Sequence, residues 1–341
     1  LKCSCGGSGY GELLKQRYPL PSVRTLQRRL QNLRFDSGIL HEVFEFLKIK
    51  VDSYQSNERD CVLVLNEMAI TPGKVYDMSL NKYFGDVTLP NRDGIASDVL
   101  VFLLAGVTMR WKQIVTYYFT SGSVDGSVFT NIIKEIFEKA NVLNLNILDI
   151  TSDMGPSNQT MWRTWGISAG RHTEIKNKIP RPIKMSNQNE FVYIFADVPH
   201  LFKNIKAMLI ANKITTILQD IQENINYSLT PKLTEEDLMP SHFKKMKVMI
   251  STNVISHCVS SALKSLSEAL NRPSYLTTAW FIDQVEKWFY LMSLRQSSSA
   301  LSKMNLAAYN DAVQLLKDFM DLFTRMEVGP KKYGSLPKLE Y

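Results

Sequence analysis

The sequence lacks the features that mark membrane-spanning and disulfide-rich secreted proteins. Its longest apolar run, Val99 to Val107, is far shorter than the roughly 18 residues that a membrane-spanning helix needs. Only four of the 341 residues are cysteine, and their spacing does not indicate a disulfide framework, so a reducing compartment is expected. No secretory signal is visible. The chain begins at Leu1 rather than Met, which predicts a fragment or decayed copy of a longer gene product.

Several signatures of common enzyme and metal-binding classes are also missing. The sequence contains no HExxH, paired CxxC, Walker A, GxGxxG or GxSxG element. Zincin, zinc-finger, P-loop, Rossmann and α/β-hydrolase functions therefore have no motif to support them. The composition, with 45% hydrophobic and 21% charged residues, is that of ordinary globular domains. The length predicts two or three of them.

Positive charge is concentrated at the N-terminal end of the chain. The formal net charge is +7, and residues 1–34 carry seven basic residues against Glu12 alone, a surplus of 7 − 1 = +6. An apolar stripe at helical spacing begins at Val23, and Arg24, Arg28 and Arg29 fall away from it. This pattern predicts a helix-turn-helix that binds DNA through the three arginines. A solvated basic helix is the alternative.

The hydrophobic patterns divide the rest of the chain into a mixed and a helical part. Within 1–57, Ser22 is a predicted N-cap, and a second helix is predicted from Ile39 to Leu47. Further along, β-rich runs and amphipathic helices alternate as three strands, helix, strand, helix, strand, helix, which predicts an α/β mixed sheet. The predicted domains are 1–57, a helix-turn-helix segment for DNA binding or pairing; 58–212, an α/β core; 213–328, an all-α domain; and 329–341, a truncated loop.

Two predicted strands end in polar clusters that could carry chemistry. Asp153 follows the strand Leu145–Ile150, while Asp197 and His200 follow the strand Phe191–Ala196. Carboxylates at strand ends project into a crevice, and acids on neighbouring strands can hold the Mg²⁺ ions used in phosphoryl transfer. The alternatives are structural: a helix N-cap or loop acid for Asp153, and a helix-start acid with a satisfied histidine for the second cluster.

These motifs, in this order and spacing, resemble those of the P element transposases and their THAP-type relatives. Leu65–Ile70 is similar to the family's first catalytic strand, which usually reads Asp-Glu-Met, and the resemblance extends over nearly the whole chain. The other stretches that carry it are Pro19–Leu30, Trp111–Gln113, Ser152–Asn158, Asp197–Lys203, Lys245–Val248 and Trp288–Arg295.

The resemblance implies an RNase H-like fold interrupted by a helical, GTP-binding-type insertion domain at 213–328. It also implies a nuclear enzyme that cuts and joins DNA with three acids and Mg²⁺, with GTP as a cofactor. Asn66 occupies the position of the first acid and Asp153 that of the second, as a metal ligand. The third acid is expected beyond Tyr341.

Two departures from the family pattern predict impaired function. Asn66 offers Mg²⁺ an amide oxygen but no charge. Glu67 cannot replace it without a bulge, because successive strand residues face opposite sides. In the helical domain, Tyr290 stands at an acid position of the guanine-nucleotide site. Lys247 is a candidate phosphate contact or, equally, a solvated lysine.

The leading hypothesis is a P element-type transposase, with DNA as its partner and strand cleavage lost or severely reduced. The alternative is a non-enzymatic DNA-binding or assembly protein derived from one. Pairing into a homo-oligomer is expected through an apolar helical stripe formed by Leu40, Val43, Phe44 and Leu47. No membrane association is expected.

Overall fold

The structure is a computed structural model. It describes residues 7–16, 18–30, 35–78, 81–90, 93–122, 124–170, 173–182, 191–211, 230, 232–241, 244–294 and 301–326. The chain divides into two compact units, one of Leu1–Ile150 with Pro180–Tyr193 and the other of Thr151–Ile179 with Ile194–Tyr341. The domain limits predicted at residues 57, 212 and 328 stay predictions. The predicted loop 329–341 lies outside the described residues.

Two short helices begin the first unit, α1 (Gly7–Lys15) and α2 (Val23–Leu30). Ser22 caps α2 as predicted, because its Oγ accepts a 3.1 Å hydrogen bond from the backbone N–H of Thr25. The hydroxyl of Tyr10 in α1 donates to the carbonyl of Pro21, at 2.5 Å. This contact holds the end of α1 against the start of α2.

The described residues form a seven-stranded mixed sheet with the strand order β1-β6-β5-β2-β7-β9-β8. The five predicted strands are all present, each within three residues of its expected ends. Two short strands flank the sheet, β1 (Gly38–Ile39) and β8 (Lys178–Pro180), and a separate hairpin pairs β3 (Val75–Asp77) with β4 (Lys82–Phe84); the sequence patterns missed all four. The predicted strands are β2 (Asp60–Ala69), β5 (Asp98–Gly106), β6 (Lys112–Thr120), β7 (Asn146–Ser152) and β9 (Phe191–Ala196).

The first helix of the sheet region, α3 (His41–Val51), differs from its prediction at both ends and in its role. Gly38 and Ile39 belong to strand β1, which pairs antiparallel with β6 at the sheet edge, and do not start a helix. The helical stripe predicted to mediate pairing is already buried in the first unit. Its residues Leu40, Val43, Phe44 and Leu47 are 3% to 6% exposed. That stripe is therefore unavailable to a second copy, and the predicted pairing surface was wrong.

Three further helices each follow a sheet strand, in the predicted order, and the last of them leads out of the sheet. They are α4 (Gly126–Val142), α5 (Pro156–Thr164) and α6 (Val198–Leu209). Asp125 caps α4 by accepting a 3.0 Å hydrogen bond from the N–H of Ser127. Phe129 of α4 meets Phe102 of β5 edge to face, with ring centroids 6.3 Å apart, so α4 packs on the face of the sheet that Phe102 occupies.

The second unit contains the helices α7 (Glu235–Leu238), α8 (Val248–Val254), α9 (His257–Ala269), α10 (Ser274–Met292) and α11 (Leu306–Arg325). Within the predicted all-α domain the helical apolar pattern continues past Ser256, but the helix is interrupted there. Ser256 adopts an extended conformation and its Oγ accepts from the N–H of Val259, so α9 starts anew at His257. None of the described helices is long and apolar enough to cross a membrane.

Stacked aromatic rings join these helices to α6. The rings of Phe202 and Phe289 lie 3.9 Å apart with an interplanar angle of 17°, and those of Trp288 and Phe319 lie 5.1 Å apart. Phe202 has no exposed surface. The apolar side of α6 is thus part of the helical core, which fixes the orientation of its polar side.

Candidate functional site

Asp153 lies immediately after β7, in the second unit, where the sequence predicted a catalytic acid. Its Oδ1 accepts hydrogen bonds from the backbone N–H of Gly155, at 2.9 Å, and from Nδ2 of Asn158, at 2.7 Å. The helix N-cap itself is Gly155, so Asp153 is not the cap that the structural alternative proposed. Among described residues Oδ2 has no hydrogen-bond partner, and this oxygen is available to a ligand.

The turn after Asp153 needs a residue without a side chain at position 155. A Cβ built on Gly155 would lie 3.0 Å from Oδ1 of Asp153, closer than such contacts ordinarily are. Pro156 then opens α5, where its fixed φ suits the first helical turn and its missing N–H costs nothing. In the sequence Asp-Met-Gly-Pro, the chain therefore turns so that the Asp153 carboxylate lies beside the first residues of α5.

The second predicted cluster lies beside Asp153 at the next strand end. The backbone N–H of Asp197 donates a 2.8 Å hydrogen bond to the carbonyl of Ser152, so the C-terminal ends of β7 and β9 are adjacent. Asp197 begins α6, and its Oδ2 lies 3.7 Å from Nε2 of His200. Both side chains are about one-third exposed, at 33% and 39%. The structure therefore brings Asp153 and the Asp197–His200 pair to the same edge of the sheet.

Asn66 lies in the first unit on β2, which neighbours β7 in the strand order. It is exposed and pairs in register with Val101 of β5. Residues Cys61 to Ala69 pair with β5 without a shift in register, so no bulge is present on this part of β2. Its side chain forms no hydrogen bond with any residue that the structure describes.

Glu67 faces the opposite side of the sheet, as predicted. It follows Leu65, which is 2% exposed, on the buried side of the strand, and its Oε1 accepts a 2.9 Å hydrogen bond from Oγ1 of Thr120. Glu67 is therefore directed away from the face that Asn66 occupies.

The oxygens around Asp153 suit a hard cation such as Mg²⁺. Within the described chain, Oγ of Ser152 and Oδ1 of Asn158 are buried without a hydrogen-bond partner. Unpartnered buried oxygens are costly unless a ligand or water satisfies them. Mg²⁺ is commonly held by one or two carboxylates, with waters and substrate phosphates completing its shell. Asp153 and Asp197, at adjacent strand ends of the second unit, are the carboxylates that would hold such an ion.

Asn158 was not predicted as a site residue. It is 8% exposed and orients the Asp153 carboxylate from the first turns of α5. One sequence feature could have indicated Asn158. It follows Asp153 by five residues, across the Gly155-Pro156 turn, and this spacing places Asn158 on the buried side of α5.

The remaining predicted residues, those for DNA and nucleotide binding, are not at the strand ends. Arg24 and Arg28 are exposed on α2, while the side chain of Arg29 lies outside the described part of the structure. Lys247 is exposed and directly precedes α8. Tyr290 is 67% exposed near the end of α10.

Comparison with known proteins defines the class first. Residues 35–166 match the family model described as TNP-like, RNase H N-terminal domain. The match includes β1 and α3 and ends after α5. This part of the chain is therefore an RNase H-like domain, as the strand order and the resemblance predicted.

The wider comparison gives the particular relatives. Over 308 residues the chain is 25% identical to the Transposable element P transposase of Drosophila melanogaster. The aligned region covers 87% of this chain and 38% of that protein. The chain thus spans less than half the length of this curated relative. A solved structure, the Drosophila P element transposase strand transfer complex, has the same fold, with a TM-score of 0.68 and 21% identity over 92% of this chain and 70% of that one. The chain is a relative of the P element transposases.

Proposed function

We propose that this chain is a transposase-derived, DNA-binding protein of the P element type in which strand cleavage is lost or severely reduced. The observation that carries the proposal is the neutral Asn66 on β2, at the position where the resemblance puts the first acid. Asp153 supports descent from a catalytic site, because it ends β7 with one carboxylate oxygen still unpartnered. Glu67 cannot compensate, because it faces Thr120 on the other side of the sheet.

Asp153 is the proposed Mg²⁺ ligand, and Asp197 and His200 line the same strand ends. Phosphoryl transfer requires enough anionic ligands to hold the metal against water and to offset the charge of the phosphate. With Asn66 in place of an acid, one anionic ligand is removed. We therefore expect weak binding of Mg²⁺ rather than a stable two-metal centre.

Titration calorimetry with Mn²⁺ and Mg²⁺ tests this proposal on the full chain and on Asn66→Asp. The matched control is Ala69→Asp, which adds the same charge to the same strand, but on the face of Glu67. Only Asn66→Asp is expected to bind Mn²⁺ at least tenfold more tightly than the unchanged chain. Equal gains in both variants, or none in either folded variant, would overturn the assignment of Asn66.

A non-enzymatic role in DNA binding or assembly is the second candidate, and the loss of charge at Asn66 favours it. It predicts salt-dependent DNA binding in the presence of EDTA and no strand cleavage after Mg²⁺ is added. Cleavage by the unchanged chain at a rate above that of an Asp153→Ala variant would exclude this candidate and favour a retained enzyme.

Binding of a guanine nucleotide by the helical domain is a finer proposal, supported by the exposure of Lys247 and Tyr290 to solvent. Since a phenol replaces an acid at position 290, binding is expected to be weak and to improve in Tyr290→Asp. Titration with GTP, with ATP as the control, tests it. A nuclear location and self-association are further proposals, to be tested with a fluorescent fusion and by analytical ultracentrifugation.

A further inference from the structure

The second unit contains a groove of about 720 Å³ along the polar side of α6. His200, Lys203 and Lys206 line it from α6, and Lys245 lines it from the segment that precedes α8. Among the described residues that line it, none is acidic. Three lysines and a histidine thus line one groove together with apolar residues of α6 and of the 238–240 segment.

Lys206 is the unusual member of this group, because it is only 6% exposed. In the described parts of the chain it forms no ion pair and no hydrogen bond through its side chain. Burial lowers the pKa of Lys206, although the charge of Asp237 opposes that shift and Lys245 adds to it. The side chain of Lys206 is thus mostly buried while it lines the groove, and among described residues no carboxylate bonds to its ammonium group.

Asp237 does not compensate the charge of Lys206 through a direct contact. Its Oδ2 accepts hydrogen bonds from the N–H and Oγ1 of Thr234, both at 2.9 Å. Its Oδ1 accepts from Nδ2 of Asn253, at 3.1 Å. The carboxylate therefore serves the capping box that starts α7, and the ammonium group of Lys206 faces the groove without it.

The position of these lysines is fixed by the fold. Phe202 on the other side of α6 is fully buried in the helical core, where it stacks on Phe289. His200 and Lys203 lie one helical turn apart, with 3.5 Å between Nε2 and Nζ. The two side chains therefore lie together on the polar side of α6.

We propose that this groove binds a phosphate group, with Lys206 as the buried contact and Lys203, Lys245 and His200 around it. A phosphate carries up to two negative charges and several acceptor oxygens, which matches converging ammonium groups better than a single carboxylate does. The phosphate belongs to a DNA backbone or to a nucleotide. These two sources follow from the proposed function, whereas the phosphate groove itself does not depend on it. Since α6 starts at Asp197, beside the Asp153 strand end, the bound phosphate would lie along the helix that leaves the candidate site.

Calorimetric titration of the full chain with sodium tripolyphosphate in EDTA tests the proposal, because it needs no metal. The test variant is Lys206→Met, which keeps the length of the side chain and removes the buried charge. Lys317→Met is the matched control, since Lys317 is exposed on α11 and does not line the groove. We expect Lys206→Met to weaken binding at least tenfold and the control to change it less than twofold.

The melting temperature of each variant separates loss of binding from loss of folding. Lys206→Met is expected to melt no lower than the unchanged chain, since an apolar side chain replaces an unpaired buried charge. If it fails to fold, the less buried pair Lys203→Met and Lys245→Met takes its place with the same expected loss. Absence of tripolyphosphate binding, or equal binding by the chain and the folded variant, would overturn the proposal.

Competition experiments identify the source of the phosphate. If tripolyphosphate displaces duplex DNA and Lys206→Met weakens both, the groove lies on a DNA path. If nucleotides displace tripolyphosphate but Lys206→Met leaves DNA affinity unchanged, the ligand is a nucleotide. If tripolyphosphate binds while the chain shows no DNA binding at all, the proposed DNA-binding function fails and the phosphate groove stands.

Discussion

Asn158 donates a 2.7 Å hydrogen bond to Oδ1 of Asp153, the same oxygen that accepts from the N–H of Gly155. Two donors on one oxygen hold the carboxylate in a single orientation and leave Oδ2 for a ligand. An acid that served only to start a helix would direct its oxygens at the N–H groups of the first turn. The arrangement excludes the helix-cap alternative for Asp153, whereas its role as a metal ligand stays a prediction beside the loop-acid alternative.

Replacing Asn158 with alanine is expected to lower the free energy of unfolding by about 1–3 kcal/mol, because the partly buried carboxylate of Asp153 loses a hydrogen bond. Urea unfolding measures the change. The control is Gln159→Ala, whose half-buried side chain donates to the carbonyl of Met154 instead of to Asp153. An equal loss in both variants would mean that Asn158 contributes to stability only as part of α5.

Truncating Phe202 to alanine is expected to destabilise the helical unit by about 3–5 kcal/mol, the usual range for a fully buried phenylalanine. Phe202 has no exposed surface and loses its stacking on Phe289. Phe202→Leu, which keeps most of the volume, is expected to cost less. Chemical unfolding monitored by circular dichroism provides both values. A loss in Phe202→Ala no larger than in Trp280→Ala, where the ring is 49% exposed, would contradict the packing described for α6.

Asp283 is expected to make stability depend on pH below about pH 4. Burial raises the pKa of Asp283, but hydrogen bonds from Lys264, Ser260 and His257 together lower it below its ordinary value of 3.8. A carboxylate with a lowered pKa in the folded state stabilises the fold above its unfolded pKa. That contribution disappears as the pH falls through the folded pKa.

The measurement is the difference in unfolding free energy between the chain and Asp283→Asn. This difference should be constant from pH 5 to 7 and shrink as the pH falls below 4. Lys264→Met should reduce it in the same pH range, because Nζ of Lys264 lies 2.5 Å from Oδ2 of Asp283. A difference that does not change between pH 3 and 7 would show that the carboxylate is not stabilised by folding.

The double variant Arg24→Ala, Arg28→Ala is expected to weaken DNA binding and to reduce its salt dependence. Each lost phosphate contact lowers the slope of log K against log salt by about 0.9, so the slope should fall by about 1.8. Fluorescence anisotropy at several salt concentrations measures it. The control removes two other exposed arginines, Arg110 and Arg325, and should leave the slope unchanged. An unchanged slope in the test variant would favour the solvated-helix alternative for α2.

The sequence predicted the central strands well because their local pattern and their tertiary role agree. β2 alternates between buried and less buried residues, and that alternation alone placed Asn66 and Glu67 on opposite faces. The short edge strand at Gly38–Ile39 carries no such pattern, since two residues have no period, and its pairing with β6 depends on residues 77 positions later. The break at Ser256 was hidden because apolar spacing continues across it.

The candidate site divides in the same way. The position of Asp153 at a strand end could be predicted from the sequence, because an apolar run followed by Asp-Met-Gly-Pro is a local pattern. The lack of a charged side chain at position 66 is read directly from the residue type. The adjacency of the Asp153 and Asp197 strand ends, the burial of the Leu40–Leu47 stripe and the burial of Lys206 were decided by tertiary structure. Each depends on which side chains from distant segments share a space and on how much water remains there, and periodicity along one segment carries no information about either.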